Sequence, residues 1–227
     1  MKNVVIYYSN TGESKRIADY LARKLNFEPI DLDGDPPFEF ENAVLVFPVY
    51  CQDVPRAVNK YLKRLSVQNL AIVATYGKMS CGNVIYEIAK KHTFRVIAAA
   101  YVPTKHSYMN EAPFCDFSRL DAIADKFERK TTVSIPKLRK TPFANWLKDT
   151  RSRLGTKIVK TDTCTACKTC EKACSLHAIK CGKPNGKCIR CMKCVAVCPQ
   201  KALQIKLHPV MAGYLKKPKQ TEFILYV

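Results

Sequence analysis

Eight of the twelve cysteines stand in one spacing written twice. Cys164, Cys167, Cys170 and Cys174 form C-x2-C-x2-C-x3-C. Cys188, Cys191, Cys194 and Cys198 repeat it 24 residues later, and Pro199 closes the second copy. Thiols recurring at every third residue lie on a loop that keeps turning back, so their sulfurs surround one small volume. A cube of iron and sulfide needs four thiolates at its corners. One such loop supplies three, and the fourth ligand comes from elsewhere in the chain. Structural zinc is the competing reading, but zinc sites draw pairs of ligands from longer separations. The chemistry expected of this pattern is the exchange of single electrons.

The repeat extends beyond the cysteines. Ala173-Cys174-Ser175 matches Val197-Cys198-Pro199, and Ala178-Ile179 matches Ala202-Leu203, so residues 158–206 read as an internal duplication. This pattern resembles the bacterial two-cluster ferredoxins, in which the fourth cysteine of each run crosses to the other run's cluster. The resemblance implies two [4Fe-4S] clusters, one held by Cys164, Cys167, Cys170 and Cys198, the other by Cys188, Cys191, Cys194 and Cys174. Ser175 departs from the family by replacing the proline that rigidifies the chain after the ligand. Cys181 is spare, either a stray thiol or a replacement ligand.

A second group of residues suits an anion. Ser9-Asn10-Thr11-Gly12-Glu13-Ser14 follows an apolar run, Val4–Tyr8, and opens a helical pattern with Ile17, Leu21 and Leu25 on one face. Hydroxyls on Ser9, Thr11 and Ser14 can donate to phosphate oxygens, Gly12 admits the backbone, and a helix N-terminus offers unpaired N–H groups. No G-x-G-x-x-G or Walker lysine is present, so the cradle suits a monophosphate. A plain helix cap is the alternative reading.

The elements that must position these residues alternate. Strand-length apolar runs at Val4–Tyr8, Val44–Val49, Leu70–Ala74 and Val96–Tyr101 are joined by a weaker one, Phe27–Leu32, whose Pro29 suits only an edge. Helical stripes lie between them, at Val58, Tyr61, Leu62 and Leu65, at Ile85, Ile88 and Ala89, and at Leu120, Ile123 and Phe127. Five buried strands alternating with helices predict an α/β fold, a doubly wound five-stranded parallel sheet of order 2-1-3-4-5. Its ligand would lie beyond the carboxyl ends of strands 1 and 3.

The phosphate turn resembles the S/T-x-T-G-x-T loop of flavodoxins. Pro48-Val49-Tyr50-Cys51-Gln52-Asp53-Val54-Pro55 falls where that family has its first ring-binding loop, and Thr75-Tyr76-Gly77-Lys78-Met79-Ser80-Cys81-Gly82 falls at the second. The whole chain resembles the flavodoxin–ferredoxin fusion proteins of anaerobic bacteria and archaea. The likeness implies a flavodoxin-like FMN-binding domain over 1–130, a basic linker with a short amphipathic helix over 131–157, and a small α+β two-cluster ferredoxin domain over 158–227. It implies FMN held by Ser9, Asn10, Thr11, Gly12, Glu13, Ser14, Pro48, Val49, Tyr50, Cys51, Thr75, Tyr76, Gly77, Cys81 and Gly82, with Tyr50 or Tyr76 stacking on the ring. Packing is the alternative role for both tyrosines, and the favoured one for Cys51 and Cys81. The Tyr50–Pro55 loop lacks the glycine that flavodoxins use for a peptide flip on reduction. The flavin is therefore expected to favour two-electron cycling.

Within 131–157, Trp146 and the helix expected over Phe143–Leu154 read as packing between the halves. Phe223–Val227 reads as a closing strand or a docked tail.

Charge is uneven along the chain. The formal net charge is +19. Residues 1–135 carry 18 Lys and Arg against 15 Asp and Glu, 136–157 carry 7 against 1, and 158–227 carry 13 against 3. A basic cluster-bearing half suits an acidic redox partner such as a ferredoxin or flavodoxin. Nucleic acid is the weaker reading, because no recognition motif accompanies the charge. No apolar run approaches the length of a membrane span. The start of the chain lacks a signal-peptide pattern, and thiol-rich chains of this kind carry metal ligands in the cytoplasm.

These features predict an electron-transfer iron–sulfur flavoprotein that links one-electron carriers to FMN. A ferredoxin-dependent reductase acting on a quinone, nitro compound or other small acceptor is the second reading. For it, His106, Tyr108 and Asn110 in the loop after the fifth strand could line the flavin mouth, although His106 reads more simply as a surface histidine. A redox-sensing nucleic-acid binder is the third.

Overall fold

The computed structural model describes all residues except 1, 2, 144, 145 and 147. The first elements in chain order are β1 (Asn3–Tyr7), α1 (Glu13–Leu25), β2 (Glu28–Asp31), β3 (Glu39–Pro48) and α2 (Arg56–Leu62). They are followed by β4 (Ser66–Tyr76), α3 (Val84–Lys91), β5 (Val96–Pro103) and α4 (Asp121–Arg129). Next come α5 (Lys148–Gly155), β6 (Thr156–Lys160), α6 (Thr169–Lys172), β7 (Ile179–Lys180) and β8 (Lys183–Pro184). The last are α7 (Lys193–Ala196), β9 (Leu203–Leu207), α8 (Pro209–Leu215) and β10 (Ile224–Tyr226). The chain divides into two compact units, the first made of Met1–His106, Asn110–Asn145 and Gln220–Val227, the second of Ser107–Met109 and Trp146–Lys219.

In the first unit a sheet runs in the order β10-β5-β4-β3-β1-β2. Strands β1 to β5 are parallel, and β10 pairs antiparallel with β5. This is the doubly wound α/β sheet expected from the alternation of runs. Pro29 sits in β2 opposite Val5, on the edge strand, where its missing N–H costs no ladder bond.

Side chains alternate along each strand, so each face has its own core. Val4 and Ile6 join Leu45, Phe47, Leu70 and Ile72 under α2 and α3, whose Val58, Leu62, Val84 and Ile85 are buried against them. Val5 and Tyr7 join Val44, Val46, Ala71 and Val73 under α1 and α4, through Ile17, Leu21, Ile123 and Phe127. The stripes read from the sequence thus face the sheet.

Burial raises the Tyr61, Tyr76 and Tyr101 phenols well above their ordinary value. The folded state therefore favours neutral phenols. Their contribution to stability is complete below pH about 10 and is lost as pH rises through the raised values. Tyr101 also accepts a 3.0 Å bond from the Ile85 N–H. Tyr101→Phe is expected to cost about 1 kcal/mol at neutral pH while flattening the alkaline decline of the melting temperature. A decline equal to wild type would remove Tyr101 from that account.

Two sequence expectations change here. Residues 131–141 are not a free linker. The Val133 N–H bonds the Val96 carbonyl at 3.0 Å, Leu138 packs on the core, and Lys140 pairs with Glu87 at 2.7 Å. The amphipathic helix expected over Phe143–Leu154 falls partly outside the described residues. Its described part is α5, and Trp146 is 64% exposed.

The tail drawn into the second domain also moves. Ile224, Leu225 and Tyr226 pair with Tyr101, Ala100 and Ala99, so the second domain's boundary falls at Lys219 and the tail closes the first unit's sheet. An apolar edge on β5 buries more surface under a strand than a free tail could cover.

The second unit is small. β6 and β9 form one antiparallel pair, β7 and β8 another, and one core joins Ile158, Ala178, Ile179, Met192 and Leu203 with Cys188 and Cys194. Tyr108 packs on this core and donates to the Arg190 carbonyl at 3.1 Å. It therefore takes part in the second unit's packing.

Candidate functional site

In the first unit, β1 and β3 are neighbours and the strand order reverses at β1, so their carboxyl ends flank a crevice. Gly12 stands before α1 at φ +93°, a conformation that Cβ-bearing residues avoid. No side chain caps the helix, so its first-turn N–H groups face the crevice end without a side-chain acceptor. The Ser9 hydroxyl is buried with no hydrogen-bond partner in the structure. A buried polar atom of this kind costs stability unless a ligand satisfies it. Together these features fit a phosphate monoester.

The other members of the loop have roles of their own. Ser14 has a partner within the chain: its Oγ shares a 2.9 Å hydrogen bond with Thr75 Oγ1, tying the turn before α1 to the end of β4. The Asn10 amide donates to the Tyr50 hydroxyl, which ties the same turn to the loop after β3. Thr11 is half-buried. Glu13 does not point away into solvent. It is 7% exposed and lies 3.4 Å from Arg16 and 3.6 Å from Lys105. Two cations and the helix N-terminus offset its charge. Lys105 was missed in the sequence reading, since nothing near it in sequence marks the loop after β5 as reaching α1.

The loop after β3 makes a tight turn. The Val49 N–H bonds the Thr75 carbonyl at 2.7 Å, and Tyr50 and Asp53 exchange two 3.0 Å backbone bonds. Between them Cys51 (φ +51°) and Gln52 (φ +58°) both take left-handed backbone. The loop therefore reaches positive φ without glycine. The sequence argument missed this, because two residues in a two-residue turn can be over-determined by their flanking bonds. Pro48 ends β3 opposite Thr75. Cys51 is exposed.

The loop after β4 separates the two tyrosine candidates. Tyr76 is 2% exposed, lies in the core, and donates its hydroxyl to the Glu222 carbonyl. It is a core residue and is not available for stacking. Tyr50 is half-buried, and its hydroxyl accepts from the Asn10 amide. Leu70, Ile72, Ala74 and Tyr76 alternate onto one buried face, a pattern that could have identified Tyr76 as core.

Gly77 presses against His106, whose Cδ2 would lie 2.8 Å from an added Cβ, and Gly82 (φ +64°) presses likewise on Gln52. His106 is thus packed on the loop after β4 instead of standing on open surface. Cys81 is buried in the core, as its packing reading requires, and burial raises its thiol.

In the second unit the duplication is visible in the backbone. Left-handed residues recur at the repeat offset: Ala166 with Arg190, Lys168 with Met192, and His177 with Lys201. The two fourth cysteines accept matching amide bonds, Ala178 N–H to Cys174 Sγ and Ala202 N–H to Cys198 Sγ, both at 3.3 Å.

Cys164, Cys167, Cys170 and Cys198 line one cavity of about 50 Å³. Three of these come from the first run and one from the second. Of the other four, Cys188 and Cys194 are buried in one core and Cys174 packs against it. Burial pushes Cys194 up to about 12, with Cys191, Cys188, Cys174 and Cys170 adding to the rise. Cys191 is likewise pushed up to about 11 by burial, with Cys188 and Cys174 contributing. Among the described residues no three His, Cys, Asp or Glu side chains converge on a point as a single metal ion needs. Thiols set around a cavity fit a cluster with volume of its own. Iron would have to displace the protons of the suppressed thiols on binding.

A 4Fe-4S binding domain matches residues 185–204, which hold Cys188, Cys191, Cys194 and Cys198. The second unit carries an iron–sulfur domain. Among solved structures, similar chains include proteins described as flavoproteins from Bacteroides uniformis and Bacteroides eggerthii. The first is 16% identical over 46% of this chain and 92% of its own, with a TM-score of 0.37. The second is 15% identical over 56% and 96%, with a TM-score of 0.38. The Trp repressor binding protein of Bacillus subtilis is 14% identical over 56% of this chain and 98% of its own, with a TM-score of 0.37. No curated protein matches the chain. No helix among the described residues is long and apolar enough to cross a membrane.

Proposed function

We propose that the protein is a cytoplasmic electron-transfer flavoprotein holding two [4Fe-4S] clusters and FMN. The observation that carries this reading is the mixed origin of the cavity thiols, three from one run and one from the other. The crossed set is the arrangement a pair of cubes requires of a duplicated loop. Bound clusters exchange single electrons and a bound flavin exchanges one or two, so their union would link a one-electron carrier pool to a two-electron step. Ser9 and the N-terminus of α1 would hold the FMN phosphate. Tyr50, positioned by Asn10, would cover the ring, and Gly77 and Gly82 would let the second loop approach it.

The cluster-bearing half carries most of the positive charge. It would dock an acidic carrier such as a ferredoxin or flavodoxin, with encounter rates that fall as salt rises. A second reading, ferredoxin-driven reduction of a small acceptor at the flavin, is favoured by one observation. His106 lies against Gly77, so a titratable side chain stands at the ring-binding loop. Saturation kinetics with a quinone or nitro compound would support it, and transfer confined to protein carriers would exclude it.

Anaerobic purification followed by a visible spectrum with iron, sulfide and flavin assays tests the main reading. Brown protein that also releases FMN is expected. Colourless protein, or zinc in place of iron, overturns it. Ser9→Ala is expected to weaken FMN binding about tenfold, about 1.4 kcal/mol, in a fluorescence titration. The same change should leave the melting temperature of flavin-free protein unchanged or higher, because Ser9 Oγ has no partner to lose. Wild-type FMN affinity would remove Ser9 from the phosphate site.

A further inference from the structure

The turn between Tyr50 and Asp53 is held from outside its own segment as well as from within. Its central residues, Cys51 and Gln52, take left-handed backbone. Glycine, asparagine and aspartate reach that conformation at least cost, and glutamine does not. Tyr50 and Asp53 close the turn with two backbone bonds. Gln52 adds a second pair, made to a residue 89 positions downstream. Its side-chain amide donates to Thr141 Oγ1 at 3.0 Å and accepts from the Thr141 N–H at 2.9 Å. Donor and acceptor of one amide are both satisfied by one residue, which fixes the orientation of Gln52.

Thr141 is itself anchored. Residues 138–141 form a strap bonded to α3 and to the residue before it. The Leu138 N–H donates to Asn83 Oδ1 at 2.9 Å, Lys140 Nζ donates to Glu87 Oε1 at 2.7 Å, and Leu138 packs on the core. Asn83, 4% exposed, directly follows Gly82 in the loop after β4. Gly82 meets Gln52 in turn: a Cβ added to it would stand 2.7 Å from Gln52 Cβ and 2.9 Å from its Cα. Gln52 is therefore bonded to the strap and packed on the loop after β4, and the strap is bonded to the end of that same loop.

We propose that Gln52 and Thr141 are positioning residues for the flavin ring: the strap holds the Tyr50–Asp53 turn in its left-handed form, and that form sets Tyr50 over the ring. The inference rests on the flavin reading given above. Gln52 and Thr141 act through the backbone of the turn, so neither side chain has to touch the flavin. Ser9 and the N-terminus of α1 belong to another segment. Loosening the strap should therefore weaken the hold on the ring and leave the hold on the phosphate as it was.

The test uses the full chain, prepared anaerobically and stripped of flavin, in fluorescence titrations with FMN and with riboflavin, which carries the ring without the phosphate. Gln52→Ala should weaken both about tenfold and by the same factor. The melting temperature of the flavin-free variant should stay within about 2 °C of wild type. Gln52→Gly should bind both within about twofold of wild type, because glycine takes positive φ without the strap. Thr141→Val keeps the N–H bond and removes the hydroxyl, and should cost both flavins about threefold. Wild-type affinity in Gln52→Ala overturns the proposal. A loss confined to FMN also overturns it, since the effect would then lie at the phosphate. Equal losses in Gln52→Gly and Gln52→Ala do the same, because the side chain and not the turn would then be at work. If Gln52→Ala does not fold, Thr141→Val decides, and unchanged affinity for both flavins counts against the proposal. A wild type that binds neither flavin defeats the flavin reading itself, and this proposal with it.

Discussion

Cys198→Ala is expected to empty the cavity formed by the other run, halving the iron and destabilising the second unit. That unit has little else to hold it. Its core joins Ile158, Ala178, Ile179, Met192 and Leu203 with the thiols Cys188 and Cys194, and Ala202 and Leu215 are buried besides. Units of this size seldom reach independent stability through apolar burial, and metal binding then supplies the folding free energy. Amide exchange along β6 and β9 should accelerate by orders of magnitude while the β1–β5 sheet stays protected. Pairwise combination decides the assignment. Cys198→Ala with Cys167→Ala should lose no more iron than either alone, because the proposed crossed arrangement assigns both to one cluster. Cys198→Ala with Cys191→Ala should lose all of it. If the second pair loses only half, each run serves its own cluster and the crossed arrangement is wrong.

Truncation after Lys219 is the second large effect, and it acts on the other unit. The removed residues include Phe223, 9% exposed, and the β10 strand paired with Tyr101, Ala100 and Ala99. They also include the carbonyl of Glu222 that receives the buried Tyr76 hydroxyl. Losing the apolar burial and orphaning that phenol should cost on the order of 4–6 kcal/mol and leave β5 as an open edge prone to pairing between chains. The loop after β4 should loosen as well. Gln220 donates its N–H to the Lys78 carbonyl at 2.7 Å, and its side chain lies 3.8 Å from Cys81 Sγ. A thermal melt and a flavin titration of the truncated chain check both effects. A melting temperature within about 2 °C of wild type with unchanged flavin affinity would show the tail to be passive.

These expectations differ in how far the chain announced them. The thiol spacing, the strand and helix alternation and the edge position of Pro29 were all legible, because each is a local pattern repeated along a few residues. The left-handed positions that recur through the duplicated loops follow from the same local repetition. The absence of glycine from the Tyr50–Pro55 loop was legible too, but not the positive φ that the loop reaches without it. Flanking backbone bonds held Cys51 and Gln52 in conformations that propensity alone disfavours.

What the sequence by itself determined is the chemistry on offer: two runs of thiols, a hydroxyl-rich turn before a helix, and a sheet able to carry that turn. Only the tertiary structure decided which residues are free to use that chemistry. Tyr76 and Tyr50 are indistinguishable as aromatic residues in neighbouring loops, but strand register buries the first and leaves the second half-buried. Ser14 turns to Thr75, Lys105 reaches Glu13, and a strand more than a hundred residues downstream closes β5. Such contacts depend on where separate segments meet in space, and no pattern within one segment encodes them.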